Sequence, residues 1–186
     1  HYSYLSLIAF KQIALHANLD IIDVEEIPTH GGSLRVWLSH KNTFLISNNV
    51  NKIIEIEKSL KLTSIEGFKN LKNNTKKIKI KILNFLLKSK ENNELVVGYG
   101  AAAKGNTLLN YCGINYDLLE LIVDKSKSKQ GLYMPGSHIP IIDIAELYEI
   151  KPDKLLVLPW NLIKEISYQQ KVCNLYTAIP ELQLHK

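Results

Sequence analysis

The spacing of hydrophobic residues predicts a helix followed by two strands in the first part of the chain. Apolar residues in 4–17 recur on one side of a helix, whereas 19–27 and 34–39 are β-rich runs. The two runs are joined by 28–32, Pro-Thr-His-Gly-Gly, a connection typical of a hairpin. We interpret residues 1–48 as the closing helix and antiparallel hairpin of a sheet whose earlier strands are missing.

A helical connector is predicted over residues 49–93. From Phe68 to Phe85 apolar residues repeat at i+3 and i+4, and between Lys69 and Lys90 there are eight lysines and no acidic residue. Interleaved aromatic residues and arginines, which are common in nucleic-acid-binding surfaces, are lacking here. We therefore predict an amphipathic helix with a solvated basic face, and no nucleic-acid partner.

The last segment, 94–186, alternates strand and helix patterns and predicts a Rossmann-like α/β domain with a parallel sheet. Four strand candidates are separated by helical or turn segments: 94–98, 119–124, 154–159 and 173–178. A full dinucleotide site uses two βαβαβ halves, and the 88 residues after Gly98 leave room for roughly one. A mononucleotide or nucleoside diphosphate therefore fits this domain better than an intact NAD.

A glycine-rich loop stands between the first strand of this domain and its first helix. Gly98, Gly100 and Ala103 match G-x-G-x-x-A, a variant of the dinucleotide fingerprint, and a helical pattern resumes from Asn106. Glycines let the backbone approach an anion, and a helix start favours negative charge. The Lys-Gly-Asn order excludes a Walker P-loop. The loop predicts phosphate binding, with a structural glycine turn as the alternative.

Charged and polar residues near this loop fit the same interpretation. Lys104, Asn106 and Thr107 form the best phosphate constellation, although the last two could instead cap the helix. Asp124 follows the apolar run 118–123, about where a ribose-binding carboxylate stands in the fingerprint.

Composition sets further bounds on the class of protein. The chain has 186 residues, a net charge of +5 and two cysteines without metal-ligand spacing, so we expect no zinc within it and a reducing cytoplasm. It has no 18-residue apolar run, and we expect neither a signal peptide nor a membrane partner. The single methionine is Met134, so His1 cannot be a translation start. We therefore expect the chain to be a piece of a longer protein.

Six motifs in series resemble the sugar C-methyltransferases, from the first residue to about Pro180. They are His-Tyr-Ser-Tyr-Leu-Ser-Leu at 1–7, Pro-Thr-His-Gly-Gly-Ser-Leu-Arg-Val at 28–36, Gly-Tyr-Gly-Ala-Ala-Ala-Lys-Gly-Asn-Thr at 98–107, Asp-Lys-Ser with Lys-Gln-Gly at 124–131, Pro-Gly-Ser-His-Ile-Pro at 135–140 and Leu-Pro-Trp-Asn at 158–161. The resemblance implies three parts: an N-terminal zinc module, a central S-adenosylmethionine domain and a C-terminal domain that holds a nucleoside-diphosphate sugar.

By this resemblance, residues 1–48 end the S-adenosylmethionine domain and 94–186 bind the nucleotide-linked keto-sugar. The cofactor and the zinc belong to missing upstream parts, so the fragment alone is not expected to be active. His1 is implied as the base, with Tyr4 and His30 as further catalytic candidates; His30 could equally be an exposed turn residue. The residues expected to bind substrate lie in the glycine loop and after later strands: Tyr99, Gly100, Ala101, Ala102, Ala103, Lys104, Gly105, Asn106, Thr107, Asp124, Lys125, Ser126, Gln130, His138 and Trp160.

Two other classes of protein fit parts of the pattern. Gly98, Gly100, Ala103 and Asp124 also suit a fragment of an NAD(P)-dependent oxidoreductase. A non-catalytic nucleotide-binding module is the third hypothesis. The sequence leaves open the sugar, the base, the methylated carbon and the oligomeric state.

Overall fold

A computed structural model describes residues 3–171 and 173–185 of the chain. Helices and strands group into two compact units, 1–73 and 74–186. The second unit carries a six-stranded, mostly parallel sheet among the described residues. The predicted α/β class is therefore confirmed.

The first unit contains two helices and an antiparallel hairpin: α1 (Leu7–His16), β1 (Leu19–Ile27), β2 (Ser33–His40) and α2 (Asn48–Ser59). The predicted helix and hairpin are thus present. The core of this unit is formed by buried aliphatic side chains of α1, β1 and α2, against which the partly buried Leu34 and Val36 of β2 pack: Leu7, Ala14, Ile21, Val24, Val50 and Ile54.

A buried carboxylate completes the start of α1. The Ser6 hydroxyl caps the helix by accepting a hydrogen bond from the Ala9 amide at 3.1 Å. Glu57 of α2, only 7% exposed, accepts from the amides of Leu7 at 2.6 Å and Ile8 at 2.8 Å. Glu57 thus satisfies two amide donors that have no partner within the helix. Its negative charge also interacts favourably with the helix dipole.

The long helix α3 (Ile65–Glu91) crosses the boundary between the units. The predicted connector is helical, but residues between Leu60 and Ile65 interrupt it. The buried side chains of α3 are confined to its C-terminal half, where Ile82, Phe85 and Leu86 enter the core of the second unit. Phe68, in the first unit, is 53% exposed, so the predicted apolar face is buried over only part of its length.

The second unit is built on six strands in the order β5-β4-β3-β6-β7-β8. Their bounds are β3 (Val96–Tyr99), β4 (Ile122–Asp124), β5 (Ile141–Asp143), β6 (Lys154–Val157), β7 (Asn174–Thr177) and β8 (Gln183–His185). The first five in this order are parallel and β8 is antiparallel. All four predicted strands are present; β5 and β8, of three residues each, were not among them.

Helices cover both faces of this sheet: α4 (Ala103–Cys112), α5 (Leu147–Ile150) and α6 (Ile163–Gln169). Val96 of β3 belongs to the core shared with α3 and α4, whereas Val97 and Tyr99 belong to the core shared with α5 and α6. Alternate residues of a strand point to opposite faces, which explains the fully buried β3.

Candidate functional site

The carboxyl ends of β3 and β6 mark the place where the strand order of the second unit reverses. From β3 the chain passes to β4 on one side of it, and later returns to β6 on its other side. In open α/β sheets, ligands bind in the crevice outside such a switch point. The glycine loop leaves β3 at this edge, and the motif at 158–161 leaves β6 at the same edge.

Two glycines let the loop and α4 pack closely against the end of β6. Gly100 has φ of +84°, and a Cβ there would lie 2.7 Å from Pro159 Cδ. A Cβ at Gly105 would lie 2.6 Å from Leu158 Cβ. Carbon atoms in contact are ordinarily about 3.5–4.0 Å apart. A Cβ atom therefore has no room at either position, and both positions require glycine.

These contacts correct the register of the predicted fingerprint. The turn glycine is Gly100 and the close-packing glycine is Gly105, so the pattern that fits the structure is G-x-A-x-x-G with Ala102 at the middle position. Gly98 lies within β3, and Ala103 is an exposed first residue of α4. The assignment of Gly98, Gly100 and Ala103 to the three fingerprint positions was therefore wrong.

The helix also begins earlier than its sequence pattern indicates. It starts at Ala103 rather than Asn106, and its N-cap residue, Ala102, makes no side-chain hydrogen bond. Asn106 and Thr107 lie inside the helix, where Asn106 Oδ1 accepts from Asn110 and Thr107 donates to the Ala103 carbonyl. The alternative that these two residues cap the helix is therefore wrong. The first turn of α4 has the amide donors and dipole that suit an anion.

A lysine and an aromatic residue meet at the switch point. The Lys104 ammonium donates to Asn161 Oδ1 and lies 4.8 Å from the centroid of the Trp160 ring. Burial lowers the pKa of Lys104, because a charged ammonium loses hydration there. The structure brings the predicted Lys104 and Trp160 together, and adds Asn161, which stands in the quoted Leu-Pro-Trp-Asn motif.

The predicted ribose carboxylate faces the glycine loop. Asp124 Oδ2 accepts from the Ala101 amide at 2.6 Å, and Oδ1 accepts from the Ser126 amide at 2.7 Å. Lys129 donates to the Ala101 carbonyl at 2.9 Å and lies 3.5 Å from Asp124 Oδ2. Gln130 donates to the backbone carbonyl of Asp124 at 2.9 Å. The segment after β4 and the loop after β3 thus form one hydrogen-bonded group.

Two further predicted residues contact α6 or the residue that follows it. The buried Tyr99 has its pKa raised by burial, against the opposing effect of a hydrogen bond with Gln170. The Oε1 atom of Gln170 is buried and has no hydrogen-bond partner. Lys125 donates to Gln169 Oε1 at the end of α6. These contacts join the end of β3 and the segment after β4 to the end of α6.

The structure does not join His138 to the glycine loop. This exposed residue lies in the Pro-Gly turn before β5, and that turn is held by Asn110, whose amide donates to the Pro135 carbonyl at 2.9 Å. Asn110 is about two turns, roughly 10 Å, from the start of α4.

The three catalytic candidates belong to the first unit. His1 lies outside the described residues. Tyr4 is 89% exposed, and His30 is an exposed turn residue with φ of +56°. A cleft of about 540 Å³ in this unit is lined mainly by apolar side chains between the start of α1 and the hairpin, including Leu5 and Phe10. Its lining among the described residues includes no cationic residue, whereas Lys104 lies at the switch point.

Comparison with known proteins identifies the family of this chain. The family model of the C-methyltransferase C-terminal domain matches residues 28–177, and the chain belongs to this family. It is similar to the C-methyltransferase NovU of Streptomyces niveus, with 28% identity over 172 residues. The match covers 92% of this chain and 41% of that relative, so the chain spans about two fifths of the relative's length. The predicted C-methyltransferase family is confirmed.

Neither a membrane-spanning helix nor a cluster of metal-ligating side chains occurs among the described residues. None of their helices combines the length and apolar character needed to cross a membrane. Nor do three or more His, Cys, Asp or Glu side chains among them gather as ligands for a metal ion.

Proposed function

We propose that this chain is the part of a C-methyltransferase that binds the diphosphate of a nucleotide-linked keto-sugar. The observation that carries the proposal is the start of α4 at the switch point, where an alanine-capped helix end stands beside Lys104. The family match and the similarity to a C-methyltransferase support it. In this proposal S-adenosylmethionine binds to a part of the enzyme outside this chain.

The geometry suits a diphosphate for three reasons. Gly100 and Gly105 have no side chains to collide with Pro159 and Leu158, so the loop and the start of α4 lie close against the end of β6. The helix start supplies amide donors, and Lys104 supplies a full positive charge. Asn161, a neutral acceptor, now holds that ammonium. A phosphate oxygen is a stronger acceptor and would compete with Asn161 for it.

The whole enzyme would form a carbon–carbon bond. A base removes the proton from the carbon next to the sugar's ketone, and the resulting enolate attacks the methyl group of S-adenosylmethionine, which leaves as S-adenosylhomocysteine. We propose His1 as this base, with Tyr4 and His30 as further candidates. An imidazole titrates near neutral pH and suits this proton transfer.

The oxidoreductase alternative has less support. The described strands of the second unit lie three on each side of the switch point, in the order 3-2-1-4-5-6 of an intact dinucleotide sheet, with the last strand antiparallel. The expectation that this segment has room for only one βαβαβ half was therefore wrong, and the topology does not exclude a nicotinamide cofactor. The family match is what favours methyl transfer. A nicotinamide cofactor therefore remains a control ligand in the test that follows.

Calorimetry of the chain with uridine, thymidine, cytidine and guanosine diphosphates tests the proposal. We expect at least one to bind, and Lys104→Ala to weaken it by about tenfold, the value of one charge-assisted contact. Lys127→Ala is the matched control, because Lys127 is exposed on the segment after β4. Equal affinity of the parent and Lys104→Ala, or tighter binding of NADH than of every diphosphate, would contradict the assignment.

A further inference from the structure

The backbone of Ala101 is held by two charged side chains, one on its N–H and one on its carbonyl. Its N–H donates to the Asp124 carboxylate at 2.6 Å, and its carbonyl accepts from the Lys129 ammonium at 2.9 Å. The two charges lie 3.5 Å apart and partly neutralise each other. The two peptide groups that flank Ala101 are thus each fixed by a charge-assisted hydrogen bond, which is the stronger kind in proteins.

We infer that Asp124 and Lys129 are positioning residues for the diphosphate site, and that Asp124 is not a ribose ligand. The inference rests on the proposed function. An acidic residue after the second strand of a dinucleotide fold ordinarily binds ribose hydroxyls. Here both oxygens of Asp124 accept backbone amides, and its side chain is only 11% exposed. Little of this carboxylate is left for a sugar.

Asp124 and Lys129, which together form a clamp on the backbone of Ala101, determine which backbone amides remain free for a ligand. The Ala101 amide is taken by Asp124, and the Ala102 amide donates to the Gly100 carbonyl at 2.8 Å. The donors that follow, beginning with Ala103, open the first turn of α4. Because this ten-residue helix has no side-chain cap, the direction of its first turn depends on the preceding loop. Asp124 and Lys129 fix that loop from the neighbouring strand.

If Asp124 and Lys129 only position the loop, their loss weakens the contacts to the phosphates and leaves the contacts to the ribose unchanged. A residue that contacts ribose contributes to binding of a nucleoside diphosphate but not of inorganic pyrophosphate, which has no ribose. A residue that positions the phosphate loop contributes equally to both. The ratio of the two affinities therefore separates the two roles, whatever the absolute affinities are.

The experiment measures binding of inorganic pyrophosphate and of uridine diphosphate to the chain by calorimetry, with EDTA present. The variants are Asp124→Asn and Lys129→Met, with Asp117→Asn and Lys127→Met as exposed controls of the same chemistry. We expect each clamp variant to weaken both ligands by the same factor, about tenfold, and the controls to bind like the parent. Lys129→Arg should recover most of the affinity, because it restores the positive donor.

The possible outcomes are distinct. If Asp124→Asn weakens uridine diphosphate but not pyrophosphate, Asp124 is a ribose ligand and the inference is wrong. If both clamp variants bind both ligands like the parent, the clamp has no role although the site stands. If the parent binds neither pyrophosphate nor any of the four nucleoside diphosphates, the proposed function fails, and the inference with it. Far-ultraviolet circular dichroism checks folding, and if Asp124→Asn does not fold, the half-exposed Lys129 position decides.

Discussion

Replacing Gly105 by alanine tests how closely α4 packs on the end of β6. The new Cβ would lie 2.6 Å from Leu158 Cβ and 3.2 Å from two further atoms of that side chain. Carbon atoms in contact are ordinarily about 3.5–4.0 Å apart, so the overlap is about 1 Å. Leu158 is fully buried and its Cβ is bonded to the backbone, so it cannot move away alone. The helix must shift instead.

Two opposing effects set the size of the change. Alanine in a helix is favoured over glycine by about 1 kcal/mol. Overpacking a core typically costs about 1–3 kcal/mol, and a displaced helix also loses contacts along its length. We expect Gly105→Ala to lower the free energy of unfolding of the second unit by about 1–2 kcal/mol. Binding of a nucleoside diphosphate should weaken too, since Lys104 is the neighbouring residue.

Urea unfolding followed by circular dichroism measures this loss. Ala103→Ser is the control, because Ala103 is exposed at the first position of α4 and a small polar side chain there should change stability by less than about 0.5 kcal/mol. If the structure had the fingerprint register G98-x-G100-x-x-A103, Ala103 would be the sensitive position. A Gly105→Ala chain as stable as the parent, or more stable, would show that α4 does not pack at the distance described.

Two further predictions concern the first unit. Glu57→Ala should lower the free energy of unfolding of this unit by about 2–4 kcal/mol, because two buried amides of α1 lose their acceptor. Urea unfolding measures this loss, with the exposed Glu55→Ala as the control. Equal losses in the two variants would refute the role of Glu57. In the whole enzyme, His1→Asn should abolish exchange with deuterated water of the hydrogen next to the sugar's ketone while nucleotide-sugar binding is kept. Exchange at the parent rate would rule out His1 as the base and direct attention to Tyr4 or His30.

The sequence predicted the elements whose pattern is long enough to repeat. The helix at 4–17, the hairpin and the first strand of the α/β unit all have several apolar positions in register. Strands β5 and β8 have three residues each, and neither ends a longer pattern like the run 118–123 that made the equally short β4 predictable. Their place in the sheet comes from pairing with β4 and β7, which involves residues distant in sequence. Local patterning does not contain that information.

The glycine loop shows a different limit. Its position between a strand and a helix could be predicted, but three glycines within eight residues allow two registers of the fingerprint. Only the contacts of Gly100 with Pro159 and of Gly105 with Leu158, more than 50 residues away, select one of them.

The placement of Asp124 at the end of β4 was likewise predictable, while its partners were not. Lys129 reaches Ala101 only after the segment following β4 has folded back on the loop. Asn161 meets Lys104 through a separate strand. In each case the chain position of a polar residue was informative, and its function in the folded site depended on long-range contacts.

The cap that Glu57 provides for α1 has a consequence for the order of events during synthesis. Its carboxylate is 50 residues later in the chain than the Leu7 amide that it binds. At a translation rate of about 5–20 residues per second, that acceptor is made about 3–10 seconds after Leu7. A ten-residue helix is marginal by itself in water. The first turn of α1 is therefore a late-forming structure, and the nascent segment around it stays accessible to chaperones until α2 has been made.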